Sequence, residues 1–382
     1  MAPDVLIHGD THRSAALRHE LPLGILDPVD YFEVDGRRVV VLPAQETSRV
    51  QEAAPGVEIV DPYELGLDDL IGAGMRWHEL ELELCARAAA RLGVRRLVVP
   101  LELSVGVADR LRADGLEVVP DEQEFIRRRR SKTPAEIEGV RRAQAAADAG
   151  MAAAAALLRT ADARDGTLLR EGRPLTAEAV RTRIRDVCAE LGAPAPEDII
   201  VAAGPAGASG HEEGSGPLPA GVPVIIDLWP RDERSGCWAD MTRTFVAGGK
   251  PAADVVAWHR LALEALERVL ELIRPGVTGR ELFDVACDVF EAAGEPTQRT
   301  KPPGEPLFDG FFHSLGHGVG LEVHEEPALG RTGLDPLVPG DVVAVEPGSY
   351  RSGYGGVRLE DLVLVTEDGC ERLTGFSYEL TP

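Results

Sequence analysis

Cysteine is scarce in this chain and never clustered. The five that occur, Cys85, Cys188, Cys237, Cys287 and Cys370, are odd in number and widely spaced, and no CxxC is present. That excludes a disulfide framework and a zinc–thiolate site, and reads as reduced core thiols in a cytoplasmic protein. Long apolar runs are missing too. No stretch approaches the roughly 20 apolar residues that span a bilayer, and "GMAAAAALL" (150–158) reads as one face of a helix. The start, "MAPDVLIHGDTHRS", has neither a charged leader nor an apolar core, so it is not read as a signal peptide. Positive charge is in deficit, with 40 Lys and Arg against 64 Asp and Glu, net −24. Nucleic acid and anionic membranes both require a basic surface, so neither is expected as a partner.

What is present is ordinary for a globular protein: 44% hydrophobic and 27% charged residues in a length of 382, enough for two or three domains. In the first third, strand-like segments ("RVVVLP", "VRRLVVPLEL", "LEVVP") alternate with helical ones near 79–92 and 104–113. This predicts a small α/β domain over 1–130. It ends in "DEQEFIRRRRSK", where the four arginines 127–130 read as a solvated linker or interface face.

Residues 131–382 read as a second domain. Thr133-Pro134-Ala135-Glu136 is a capping box with proline at the first helical position, predicting a helix to about Arg159. Further helices are expected near 176–191, 252–273 and 278–293. The region repeats its pattern: two helices, a glycine-rich segment bearing histidine, then a pair of strands. "VIIDLW…ADMT" and "VAVEPG…RLED" each place an acid at the end of an apolar run and a second acid at the start of the next strand.

Acids in such places are expensive. Desolvating an ionised carboxylate costs several kcal/mol unless positive charge compensates. Asp227, Asp240, Glu346 and Glu360 gathered together cannot all ionise without cations, and Arg243 and Arg358 are too few to balance them. Divalent metal is the economical answer. An oxygen-rich set with one imidazole suits two ions, Mn first, with Co, Fe or Zn as alternatives. Three of the nine histidines fall in "FHSLGHGVGLEVHEEP" (312–327), among glycines expected to leave room for metals and substrate.

The stretches "IIDLW…ADMTRTF", "HSLGHGVGLEVHE", "VVAVEPGSY" and "VRLEDLVLV", in this order, resemble the creatinase/aminopeptidase P/prolidase family, the pita-bread metallopeptidases that include methionine aminopeptidase. The resemblance covers most of 133–382. It implies an α/β (α+β) fold, with an N-terminal creatinase-like α/β domain before a catalytic pita-bread domain of pseudo-two-fold duplicated αα-β-hairpin halves. It further implies that Asp227, Asp240, His317, Glu346 and Glu360 hold two divalent ions, with Asp240 and Glu360 bridging. Glu346 would also shuttle a proton, His324 would support the tetrahedral intermediate, and His211 would contact substrate from the first half. His313, Arg358 and Tyr350 would line the substrate site, with Arg358 orienting Glu360 or a substrate carboxylate.

The implied activity is hydrolysis of Xaa-Pro bonds, as an aminopeptidase or dipeptidase, by a metal-bridging hydroxide. The substrate is a peptide with proline at the second position, and the assembly a homodimer. The alternative is a metal-dependent non-peptidase hydrolase or lyase of the same fold acting on a small amide, amidino or sulfonium compound. A catalytically dead binding module is the third reading, but it would have lost ligands, and all five are present. Two departures from the family pattern stand out: the histidine loop "GASGHEEGSG", and the hairpin tip "DLWPRDERSGCWAD", about two residues longer than usual. The longer tip, with Trp229 and Trp238, is expected to reshape the mouth of the site.

Overall fold

A computed structural model describes residues 3–382. The chain divides into two compact units, the first ending at Arg129 and the second running Arg130–Pro382.

The first unit is built on a six-stranded sheet. In order across the sheet the strands are Glu58–Val60, Arg37–Val41, Val29–Val34, Val5–Gly9, Arg96–Val99 and Glu117–Pro120. Strand alternation sends side chains to both faces. Val39 and Val41 join Leu6, Phe32 and Leu97 in one core, whereas Val40 joins Val5, Ile7 and Tyr31 in the other. The outer pairs are parallel, and each is reached by a helical crossover: Thr47–Ala53 on one side, Val105–Ala113 on the other. The arginine run is not a linker. It ends the helix Glu122–Arg130, and Arg128 is drawn inward, 2.9 Å from Glu20, 2.8 Å from Glu33 and 2.9 Å from Glu124. Helical periodicity turns Arg128 toward Glu20 and Glu33, while Arg127 shares Glu124 at 2.5 Å.

The second unit contains the predicted repeat. Its first helix, Pro134–Arg159, starts as the capping box requires: Thr133 N donates to Glu136 Oε2 at 2.7 Å and Glu136 N to Thr133 Oγ1 at 3.2 Å. It packs with Ala177–Glu190 over an antiparallel sheet of Ile200–Ala203, Pro223–Leu228 and Met241–Val246. In the second half, helices Ala253–Leu270 and Gly279–Ala292 cover a five-stranded sheet whose centre is Gly316–Gly318, Val342–Val345 and Asp361–Val365. A small three-stranded sheet (Asp162–Arg164, Thr167–Arg170, Arg173–Pro174) is an addition with no counterpart in the sequence reading. Its strands are too short for periodicity to register. No described helix is long and apolar enough to cross a membrane. Four of the five free cysteines are buried.

The two halves are locked together by polar contacts, not only by apolar packing. Glu360 N donates to Thr242 O at 3.1 Å, and Thr244 Oγ1 bridges the backbone of Arg358 in both directions at 3.0 Å. Arg243, fully buried, donates to Asp361 Oδ1 at 2.9 Å and to the carbonyls of Glu360 (2.7 Å), Thr242 (2.9 Å), Phe376 (3.0 Å) and Ser377 (2.9 Å).

Candidate active site

Each half contributes one hairpin, and the acids sit where its ladder ends. Asp227 pairs with Thr242 in the first hairpin, and Asp240 immediately precedes that hairpin's second strand. Val345 pairs with Asp361 in the second, so Glu346 and Glu360 leave the ladder together, just outside its last rung. His317 stands on the adjacent strand opposite Ala344. The sequence separates these five residues by up to 133 positions. The sheets bring them to one cleft of about 350 Å³, which His211, His324, Trp229 and Arg358 also line.

Ligand atoms of Asp227, Asp240 and Glu360 lie within 4.8 Å of one another, as do those of His317, Glu346 and Glu360, and those of Asp240, His317 and His324. His317 Nε2 is 3.7 Å from Asp240 Oδ2 and 3.9 Å from Glu346 Oε1. Those gaps are too long for direct hydrogen bonds. They match two ligands that each reach about 2.1 Å to a shared ion. On the other side of the ring, Nδ1 lies 3.0 Å from Gly318 O, which fixes the N–H there and leaves Nε2 a lone pair aimed at the carboxylates. Burial pushes the His317 imidazolium down to about 4, with His324 adding to the effect, so the ring is neutral and able to ligate.

The carboxylates are in the opposite situation. Burial and then Glu360, Asp227 and Glu346 push the Asp240 pKa well up. Glu360 is raised likewise, by burial and then by Asp227 and Glu346. Glu346 rises from 4.5 to about 7, chiefly by burial. Asp227 Oδ1 is buried with no hydrogen-bond partner. A buried acceptor left unpaired and a carboxylate cluster forced toward protonation both register missing positive charge. The donor set therefore fits divalent cations, which reverse the local pKa logic and let Asp240, Glu346 and Glu360 ionise.

This carries a pH prediction for the metal-free protein. A carboxyl whose folded pKa is raised holds its proton more tightly folded than unfolded. Its stabilisation is complete below about 4.5 and is lost as pH rises through about 7, the position of Glu346. Glu346 alone accounts for about 3 kcal/mol across that window. Thermal melts with a chelator should fall steadily from pH 4.5 to 7, and saturating divalent cation should remove the slope. A chelated protein whose melting temperature is flat over this window would contradict the clustered-carboxylate account.

Arg358 behaves differently from its sequence reading. It lies two residues before Glu360, but its guanidinium does not orient that acid directly. It is buried, and NH2 donates to Asp227 Oδ2 in a short charge-assisted contact. NH1 reaches Gly210 O at 3.1 Å and Tyr350 Oη at 3.3 Å, while Nε reaches Thr242 Oγ1 at 3.2 Å. Burial opposes its charge, but Tyr350, Asp227, Glu346 and Glu360 outweigh it and hold it cationic. The chain of contacts continues from Tyr350 Oη to His313 Nε2 at 3.0 Å. His313 Nδ1 faces Ser314 O at 2.7 Å, so Nε2 accepts from the tyrosine. Burial, then Arg358, pushes His313 down to about 3, and burial pushes Tyr350 up to about 12. His313 borders a separate depression with Phe312 and Gln298 rather than the main cleft. His324 packs edge-on to His317 with ring centroids 4.3 Å apart, and both His211 and His324 are exposed.

Two residues escaped the sequence reading. Thr242 donates to Glu360 Oε2 at 2.7 Å, orienting that acid, and Asp361 anchors Arg243. A threonine and an extra acid inside apolar strands were the only available signals. The glycines of "GHGVG" also have a different reason. A Cβ on Gly316 would meet Ala344 O at 1.9 Å, and one on Gly318 would meet Glu326 O at 2.5 Å. They permit close strand approach on both sides of His317; clearance for metal or peptide is not what demands them. In the long hairpin tip, Asp232 is clamped by Arg142 at 2.9 Å and 3.0 Å, and Trp238 N donates to Gly320 O at 2.7 Å. Of the two tryptophans, Trp229 faces the cleft and Trp238 lies against Arg231.

Comparison with known proteins now decides the family. Residues 138–367 match the model for metallopeptidase family M24. The chain belongs to this family. Among its M24 relatives, the Xaa-Pro dipeptidase of Pyrococcus furiosus is 38% identical over 184 residues, covering 48% of this chain and 49% of that protein. The probable dipeptidase PepE of Mycobacterium tuberculosis is 34% identical over 271 residues, covering 70% and 65%. The matched region thus spans about half to two thirds of these curated relatives. The fold agrees over nearly the whole chain. An Xaa-Pro dipeptidase from Bacillus anthracis superimposes with a TM-score of 0.78 at 26% identity, covering 99% of this chain and 94% of that one. Aminopeptidase P from E. coli, at 20% identity and a TM-score of 0.72, covering 98% and 92%, shares the fold. The architecture is the pita-bread fold of these M24 structures, as the family resemblance implied.

Proposed function

We propose that this chain is a dinuclear metal-dependent peptidase cleaving Xaa-Pro bonds. One observation carries the reading: Asp227, Asp240, Glu346 and Glu360 from two hairpins and His317 from the adjacent strand converge on one cleft, where Arg358 alone does not balance the four acids. In this reading residues 131–382 are the catalytic domain, Asp227, Asp240, His317, Glu346 and Glu360 would hold two divalent ions, manganese first, with Asp240 and Glu360 as the ligands they would share, and the enzyme would work as a homodimer. When bound, the ions supply Lewis-acid activation of water and of the scissile carbonyl.

The chain's own groups do the rest. Glu346 is the base that takes a proton from the attacking water and returns it to the departing proline nitrogen. That nitrogen is a tertiary amide and must gain a proton to leave. His324, at the cleft wall, donates to the oxyanion as it forms. Thr242 fixes Glu360, and Arg358 fixes Asp227, so neither acid needs to reorganise during the reaction. His211 contacts substrate from the opposite wall. Tyr350 and His313 form a neutral, hydrogen-bonded support behind Arg358 on the proline side.

The test is to load the protein with Mn, Co, Fe or Zn, measure metal content by elemental analysis, and assay Xaa-Pro dipeptides, longer Xaa-Pro peptides, Xaa-Ala controls and small amides. Cleavage confined to Xaa-Pro bonds is expected, and substrate length then separates dipeptidase from aminopeptidase. A metal-loaded protein that leaves every Xaa-Pro peptide intact while hydrolysing a small amide would overturn the reading in favour of a non-peptidase.

A further inference from the structure

The cleft carries more negative charge than its inner end requires. Six carboxylates line it: Asp198, Glu213, Asp227, Asp240, Glu346 and Glu360. The inner four face the proposed cations and Arg358. Two divalent ions and one guanidinium more than balance them. Asp198 and Glu213 are left over. Both are exposed, and neither side chain has a hydrogen-bond or ion-pair partner among the described residues.

These two acids are held near each other by the fold. Asp198 leads into the strand Ile200–Ala203, and Glu213 lies on the segment returning along it, with Val201 N donating to Glu213 O at 2.9 Å. Glu213 is two residues past His211. Ile200, Trp229 and Val323 give the same cleft an apolar lining. An apolar wall with free carboxylates suits a long aliphatic stem ending in a cation. Trp229 adds an aromatic face that a guanidinium or ammonium favours.

We propose that Asp198 and Glu213 make the enzyme selective for substrates whose amino-terminal residue has a basic side chain, Arg-Pro and Lys-Pro. The inference rests on the Xaa-Pro reading above and names its substrate class. Every dipeptide carries an α-ammonium, so the decisive comparison is one that varies only the side-chain charge. Citrulline is nearly isosteric with arginine and neutral.

The experiment measures kcat/KM for Arg-Pro and citrulline-Pro with the manganese-loaded full chain, in the wild type and in the double variant Asp198→Asn/Glu213→Gln. Two solvent-accessible ion pairs predict an Arg-Pro advantage of about five- to tenfold. The advantage should shrink as salt rises from 0.05 to about 0.5 M, and the double variant should bring the ratio close to one. Because the ratio is internal to each preparation, partial misfolding does not move it. A wild-type ratio of one, or a ratio the double substitution leaves unchanged, overturns the proposal. Slowing of both substrates in equal proportion assigns the acids to the α-ammonium and overturns it as well. If no Xaa-Pro dipeptide is cleaved at all, Leu-Pro included, the Xaa-Pro reading itself has failed and this proposal falls with it.

Discussion

Asp240→Asn should abolish Xaa-Pro hydrolysis and at the same time make the metal-free protein more heat-stable. The two effects have one cause. Asp240 is buried against Glu360, Asp227 and Glu346, all of which raise its pKa. With cations bound, its charge is what holds them. Without cations, the same charge is repelled by its neighbours. Asparagine keeps the shape and removes the charge. Its single carbonyl oxygen is a weaker ligand than a carboxylate, and it does not bridge two ions as a carboxylate does. A loss of about 4 kcal/mol in transition-state stabilisation corresponds to roughly a thousandfold in kcat/KM. Elemental analysis should show bound metal falling in parallel. Melts in chelator should show the variant above the wild type near pH 7 and level with it near pH 4.5, where Asp240 holds its proton. Full activity in a metal-free variant would sink the metallopeptidase mechanism. Loss of activity with metal fully retained would shift Asp240 from ligand to some other role.

Arg243→Met should be the most damaging substitution for the fold away from the carboxylates. The guanidinium is fully buried and makes five hydrogen bonds, one of them to Asp361, which is itself fully buried. Removing one partner of a buried pair costs about 3–5 kcal/mol, and here it leaves Asp361 only the hydroxyl of Tyr378 and, at 3.9 Å, Arg372. Four carbonyls lose a donor as well. Two of them, Thr242 O and Glu360 O, belong to the strands that carry the site, so metal affinity should drop together with stability. The check is denaturant unfolding plus metal titration. Arg243→Met/Asp361→Leu, which removes both charges, should recover much of the stability, because a buried pair replaced by apolar groups is often neutral. If the single variant unfolds at the wild-type denaturant midpoint, the contact network is not what joins the halves.

The sequence revealed the ligand candidates because burying an acid leaves a visible conflict. An Asp or Glu at the end of "VII" or "VAV" breaks a strand's apolar logic and demands a reason. The capping box at Thr133 and the helices after it were equally plain, since their signals lie within three or four residues. The duplication could be read because both hairpins repeat the acid–loop–acid order. By contrast, the short strands of 162–174 offer too few residues for a period to show. The arginine run 127–130 looked like a solvated linker or interface face because sequence alone does not say that Arg128 meets Glu20 and Glu33.

What the sequence by itself determined is the inventory: which residues carry charge into apolar strands, how many there are, and that they exceed the cations available to neutralise them. Only the tertiary structure decided the partners. Arg358 looked like a neighbour of Glu360, yet it is bonded to Asp227, 131 positions away. The glycines around His317 looked like clearance for substrate, yet they admit the carbonyls of Ala344 and Glu326. The physical reason is the same in both cases. Local sequence specifies which face of a strand a side chain takes. The atoms that meet that face are delivered by tertiary pairing: from the other half of the duplicated fold for Arg358, and from the two flanking strands of the same sheet for the glycines.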